Sequence, residues 1–175
     1  MNDILVERHW PQPLNEASMW AMLAVADGCL GIHRLVWCSS LLSADGLDLL
    51  CHFRGPDAES VRIVMRQMGS PPGRIWSCRI QDAPGVGPGD LAAVNVVVEH
   101  RFDAPRRFGA PQMRQVPDLG RLQPDRVRLV RSHLSLDGLR VDDLYQAADA
   151  ESVRLALQQA GLAPAHMRAV RRFAP

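Results

Sequence analysis

Two glutamates 92 residues apart, Glu7 and Glu99, each lie in the middle of an alternating run rich in β-formers, so each projects from one face of a strand. Paired carboxylates can hold a cation, or one of them can be raised in pKa by burial and act as a base. They can equally serve as buried acceptors for arginine, with Arg101 and Arg131 available. His9 lies two residues past Glu7 on the same strand, which sets the two side chains about 7 Å apart on one side, suited to a metal ion or an acid–base couple. The matching position of the second half is Arg101, so only the first half can use that pair. Further along, Asp143 and Tyr145 share one face of a strand. If His133 faces the same side, a histidine–carboxylate couple results, with Tyr145 as acid or hydrogen-bond donor. Tyr145 stands where the first half has Phe53, which also fits a core aromatic whose hydroxyl is optional. His33 and His52 are expected at exposed loop and strand positions.

The elements that must position these residues are announced by a repeat. Asp57-Ala58-Glu59-Ser60-Val61-Arg62 recurs as Asp149-Ala150-Glu151-Ser152-Val153-Arg154, 92 residues later. The offset holds for Pro13 and Pro105, Asp45-Gly46 and Asp137-Gly138, Gly69 and Gly161, and Pro72 and Pro164. A period this long is the size of a small domain. The expected organisation is residues 1–83, a Pro/Gly linker over 84–92 read from Pro84-Gly85-Val86-Gly87-Pro88-Gly89, and residues 93–175. Domains this small are marginal alone and are expected to pack together.

In the first half, Ile4 to Trp10 reads as a strand. Asn15 is a good N-cap, followed by Met19, Met22, Leu23, Ala26 and Leu30 at helical spacing. Strands over 35–43 and 47–54 flank the turn at Asp45-Gly46, a helix starts at Asp57 and stops at Gly69, and a strand over 74–80 closes the unit. The second half repeats the order, except that Pro111 and Pro117 predict a short or broken first helix. The fold class expected is α+β: two tandem ferredoxin-like βαββαβ units laid sheet against sheet as an intramolecular dimeric α+β barrel-like pair, with a ligand site between them.

Leu5-Val6-Glu7-Arg8 with Pro13-Leu14, Val36-Trp37 and Ser40, Cys51-His52-Phe53 leading into Pro56-Asp57-Ala58-Glu59, and Gly69 with Pro72 together resemble a small bacterial family of uncharacterised ferredoxin-like proteins, some of them described as nickel-binding. The second half carries fainter echoes at Val98-Glu99, Tyr145, Asp149 and Gly161. The resemblance implies a fused version of a homodimer and a divalent metal such as nickel. A histidine of the family's second helix falls at Val64 and Ala156 here, so that ligand is missing from both halves.

Composition narrows the chemistry. All basic side chains other than histidine are arginine, and lysine and threonine are absent, which excludes Schiff-base catalysis on lysine and a P-loop. The four cysteines lie in the first half and form no Cys-x-x-Cys pair, which reads as buried free thiols. No secretory signal and no apolar run near 18 residues is present, so a cytoplasmic address is expected. The aromatic stacking residues of an RNA-binding sheet are missing, which argues against nucleic acid. The leading expectation is a protein that binds a small ligand or metal ion between its halves, a monomeric pseudo-dimer open to further association. The alternative is a cofactor-free α+β-barrel enzyme, isomerase or oxygenase in type, using Glu and His as acid and base. Positions where the register is kept but the chemistry diverges are the places to look, such as Cys51 against Asp143 and Leu41 against His133.

Overall fold

The computed structural model describes residues 1–70, 73–107, 127–163 and 166–175, apart from the side chain of Asp27. The expected interruption of a helix by Pro111 and Pro117 lies outside the described residues. Two compact units divide the chain, one of Met1–Cys78 with Arg171–Pro175 and the other of Arg79–Val170.

The first unit is built from β1 (Asn2–His9), α1 (Glu16–Ile32), β2 (Val36–Ser43), β3 (Asp48–Gly55), α2 (Ala58–Gln67) and the start of β4 (Arg74–Asp82). Both long helices begin at side-chain caps: Asn15 Oδ1 accepts from Ser18 N at 2.8 Å, and Asp57 Oδ1 accepts from Ser60 N at 2.7 Å. Val61, Val64 and Met65 of α2, with Met19, Ala26 and Leu30 of α1, bury the sheet face carrying Ile4, Val6, Cys51 and Phe53. The β2–β3 hairpin turns at Gly46, which has φ 75°; a Cβ there would also stand 2.6 Å from the Leu14 carbonyl oxygen.

In the second unit, α3 (Pro88–Ala92) occupies the segment expected as a linker, with Asp90 Oδ2 accepting from Gly87 N at 2.8 Å. There follow β5 (Val96–Arg101), β6 (Val127–Ser135), β7 (Arg140–Ala147), α4 (Ala150–Gln159) and β8 (His166–Phe173). Asp149 caps α4 through Ser152 N at 2.7 Å. Val153 and Leu157 of α4 pack on Val96, Val98, Val127 and Tyr145.

The fold class differs from the expectation of two tandem ferredoxin-like βαββαβ units stacked sheet on sheet. All eight strands belong to one closed barrel in the order β1-β3-β2-β8-β5-β7-β6-β4. The physical reason lies in the edges. An open four-stranded sheet leaves two rows of unpaired backbone groups, and closure is the arrangement that removes them. Apolar alternation reports which face of a strand is buried and carries no information about which edge finds a partner, so the stacked-sheet alternative was indistinguishable in the sequence. Among the described residues, no helix is long and apolar enough to cross a membrane.

Candidate active site

The polar residues of β5, β6 and β7 sort onto the two faces of the sheet by register. Val98 lies opposite Asp143 and Val96 opposite Tyr145 on β5 and β7, and Ser132 of β6 lies opposite Asp143. An irregularity between Leu129 and Arg131 shifts the β6 register, and it brings Ser132 onto the face that α4 covers. On that face Asp143 is fully buried. It accepts a hydrogen bond at Oδ1 from the Ser132 hydroxyl, and His100 Nε2 stands 3.5 Å from its Oδ2. The His100 ring stacks on Phe102, with centroids 6.4 Å apart and planes 11° from parallel. Tyr145, two residues along β7 on the same face, is fully buried, and among the described residues its hydroxyl has no hydrogen-bond partner.

Burial dominates the electrostatics here. It pushes the Asp143 carboxyl up to about 7, against the lowering effect of the Ser132 hydroxyl and with a further upward push from the neighbouring Asp142. Burial likewise lowers the His100 imidazole, partly opposed by the Glu99 charge. Tyr145 is held well above the ordinary phenol range by burial and by the Asp143 charge, so it remains a donor. Near neutral pH the carboxyl is therefore present in both its acid and its ionised form, beside an imidazole whose burial favours the neutral state.

The opposite face holds a charge ladder. Glu99 Oε1 accepts from Arg101 Nε at 2.6 Å, and Arg140 reaches Glu99 Oε2 at 3.2 Å and Asp142 Oδ1 at 3.1 Å. His133 lies opposite Asp142 and so belongs to this second face. The expected His133–Asp143 couple is not assembled; the histidine that joins Asp143 is His100. Arg131 forks onto Asp82 at 2.6 and 2.9 Å, holding that carboxyl below its usual range. In the first unit, Glu7 Oε1 accepts from Trp76 Nε1 at 2.5 Å, while His9 Nδ1 lies 2.9 Å from Asp48 Oδ1 with its side chain largely exposed. His52, expected to be exposed, is buried with Nε2 2.9 Å from Asp3 Oδ1. Among the described residues, no group of three or more His, Cys, Asp or Glu side chains is placed to hold a metal ion.

Of this cluster, Asp143 and Tyr145 are among the candidates named from the sequence, and His100 and Ser132 are not. The available signal was the 92-residue offset: Ser40 and Ser132 coincide, as do Arg8 and His100, and Cys51 and Asp143.

Solved structures similar to this chain include the following three. A candidate chlorite dismutase is similar over 99% of this chain and 94% of its own, at 12% identity and a TM-score of 0.53. An anthrone oxidase-like protein matches over 99% and 93%, at 11% identity and a TM-score of 0.48. A candidate monooxygenase from Lactobacillus acidophilus NCFM matches over 98% and 94%, at 7% identity and a TM-score of 0.48. The first likeness is one of fold, and it accords with a single α+β barrel in place of two stacked units. No protein-family model and no curated protein matches the chain.

Proposed function

We propose that this chain is a cofactor-free α+β-barrel enzyme that moves a proton on a small, mostly apolar carbon acid, with isomerisation as the basic outcome. The observation that carries the reading is the buried Asp143–His100 pair, a carboxyl raised to about 7 with an imidazole 3.5 Å away. A base with a pKa near the working pH combines a usable ionised fraction with enough basicity to accept a carbon-bound proton. Ionised Asp143 takes the proton from carbon, and the C–H electron pair moves onto the adjacent carbonyl to give an enolate. The Tyr145 hydroxyl donates to the developing oxyanion, an interaction that strengthens as charge builds and is enhanced by the dry surroundings. His100 can take up the proton from Asp143 and return it, so that delivery to a different carbon completes an isomerisation. Where dioxygen is present and intercepts the carbanion, the same first step begins an oxygenation. Val96, Val98, Val153 and Leu157 are packed on this face, so the pair sits in apolar surroundings that suit an apolar substrate body. A metal-binding reading, nickel included, draws no comparable support, because no three-ligand cluster is found among the described residues.

The test is proton exchange in D2O on a panel of cyclic enolisable ketones, followed by NMR, with oxygen uptake recorded in parallel. The reading expects exchange at least about 100-fold above buffer for one panel member, consistent with positioned general-base catalysis, and loss of it in Asp143→Asn. Exchange at the buffer rate throughout, or unchanged exchange in Asp143→Asn, would overturn it.

A further inference from the structure

The positions of the first unit that match His100, Ser132 and Asp143 are Arg8, Ser40 and Cys51. They are joined in a similar way: Ser40 Oγ donates to Cys51 Sγ at 3.1 Å, and Arg8 Nη2 donates to the same sulfur at 3.3 Å. The charge is of the opposite sign. Arg8 is only 5% exposed, yet among the described residues no carboxylate pairs with it. Its other partners are the Ser70 hydroxyl, 2.6 Å from Nη1, and the Met22 sulfur at 3.9 Å, both neutral. The guanidinium lies 5.7 Å from the Trp10 ring centroid. Two buried donors complete the picture, because Arg8 Nε and Trp10 Nε1 both lack an acceptor among the described residues.

A guanidinium withdrawn from water without a counter-ion is among the most costly groups a core can hold, and idle N–H donors beside it add to the cost. An arriving anion removes both costs at once. The surroundings select the kind of anion. One cation and two idle N–H groups match a single carboxylate, whereas a phosphate with its higher charge and further oxygens would remain underserved. Met22, Trp10 and Leu14 are among the partly buried apolar residues packed on this core, which suits an apolar substituent on the carboxylate.

We propose that the helix-covered face of the first unit binds an organic monocarboxylate through Arg8 Nε and Trp10 Nε1. The two units then divide their labour, with an acid–base pair at 100 and 143 and an anion anchor at 8 and 10. This inference does not depend on the proton-transfer reading, since it uses no residue of that site.

The test is calorimetric titration of the full chain with hexanoate and benzoate, with the neutral analogues hexanol and benzyl alcohol and with inorganic phosphate as comparisons. Saturable one-to-one binding of a carboxylate is expected. It should weaken at least about 10-fold in Arg8→Met, the size of one charge-assisted hydrogen bond, and several-fold in Trp10→Phe, which keeps the ring bulk and removes the N–H. It should be unchanged in Asp143→Asn, which separates this site from the proposed catalytic one. Trp10→Phe decides the matter if Arg8→Met does not fold. No carboxylate binding, equal binding of the neutral analogues, tighter binding of phosphate, or undiminished affinity in the folded variants would overturn the proposal.

Discussion

At the scale of single residues, the neighbours of Asp143 decide when it ionises. Desolvation raises its pKa, and the Ser132 hydroxyl is the one contact that opposes this by hydrogen-bonding the ionised form. Replacing Ser132 with Ala should therefore move the alkaline rise of activity upward by about 0.5 to 1 unit, the equivalent of a net hydrogen bond of about 1 kcal/mol. A pH–rate profile of Ser132→Ala against the parent checks this, and a shift toward acid would contradict it. That Asp143 and Tyr145 share a face was legible in the sequence because side chains two residues apart on a strand point the same way. The condition that His133 share that face is not met, since the irregularity between Leu129 and Arg131 changes the parity of β6 and no residue type in the run announces it. His100 meets Asp143 as a diagonal neighbour on the adjacent strand, a relation that spacing along the chain does not encode.

At the scale of elements, local chemistry was the most readable layer. Asp57 and Asp149 open α2 and α4 with the same geometry, each side-chain oxygen accepting from the backbone N–H three residues on at 2.7 Å. Both caps are exposed, and the hydrogen bonds to Ser60 and Ser152 hold these carboxyls below their usual range. Asp149→Ala should lower the urea midpoint of unfolding, and Asp149→Asn should lower it less because the amide oxygen still accepts. Equal stability of Asp149→Ala and the parent would remove the cap from the account. The helices themselves were readable from cap, apolar spacing and stop signals, as with Asp57, then Val61, Val64 and Met65, then Gly69 at φ 62°. The short α3 was not readable, because a glycine- and proline-rich run looks like a linker until Asp90 is seen to close its first turn onto Gly87 N.

At the scale of the whole molecule, strand pairing was the illegible layer, because edge partners are chosen by backbone hydrogen bonds that every sequence offers alike. The 92-residue repeat showed where related elements recur without showing that eight strands close into one barrel. Stability against pH is the whole-molecule property that Asp143 should govern. Its folded pKa of about 7 exceeds the ordinary 3.8, so the folded state holds the proton more tightly, and stability falls as pH rises from about 4 through about 7. Full linkage over that interval is on the order of 4 kcal/mol. His100 acts in the opposite sense, its lowered pKa making stability rise with pH until the ordinary 6.5 is passed, so the fall attributable to Asp143 is cleanest between 6.5 and 7. Asp143→Asn should keep the Ser132 contact, abolish activity and melt above the parent at pH 8, which thermal unfolding at pH 5.5 and 8 would show; a variant that melts lower at pH 8 would contradict this. The most direct measurement is carboxyl-carbon NMR of protein labelled with 13C at aspartate, titrated from pH 4 to 9. The account predicts one carboxyl with a midpoint near 7 that disappears in Asp143→Asn, and a titration in which every aspartate is ionised by pH 5 would contradict it.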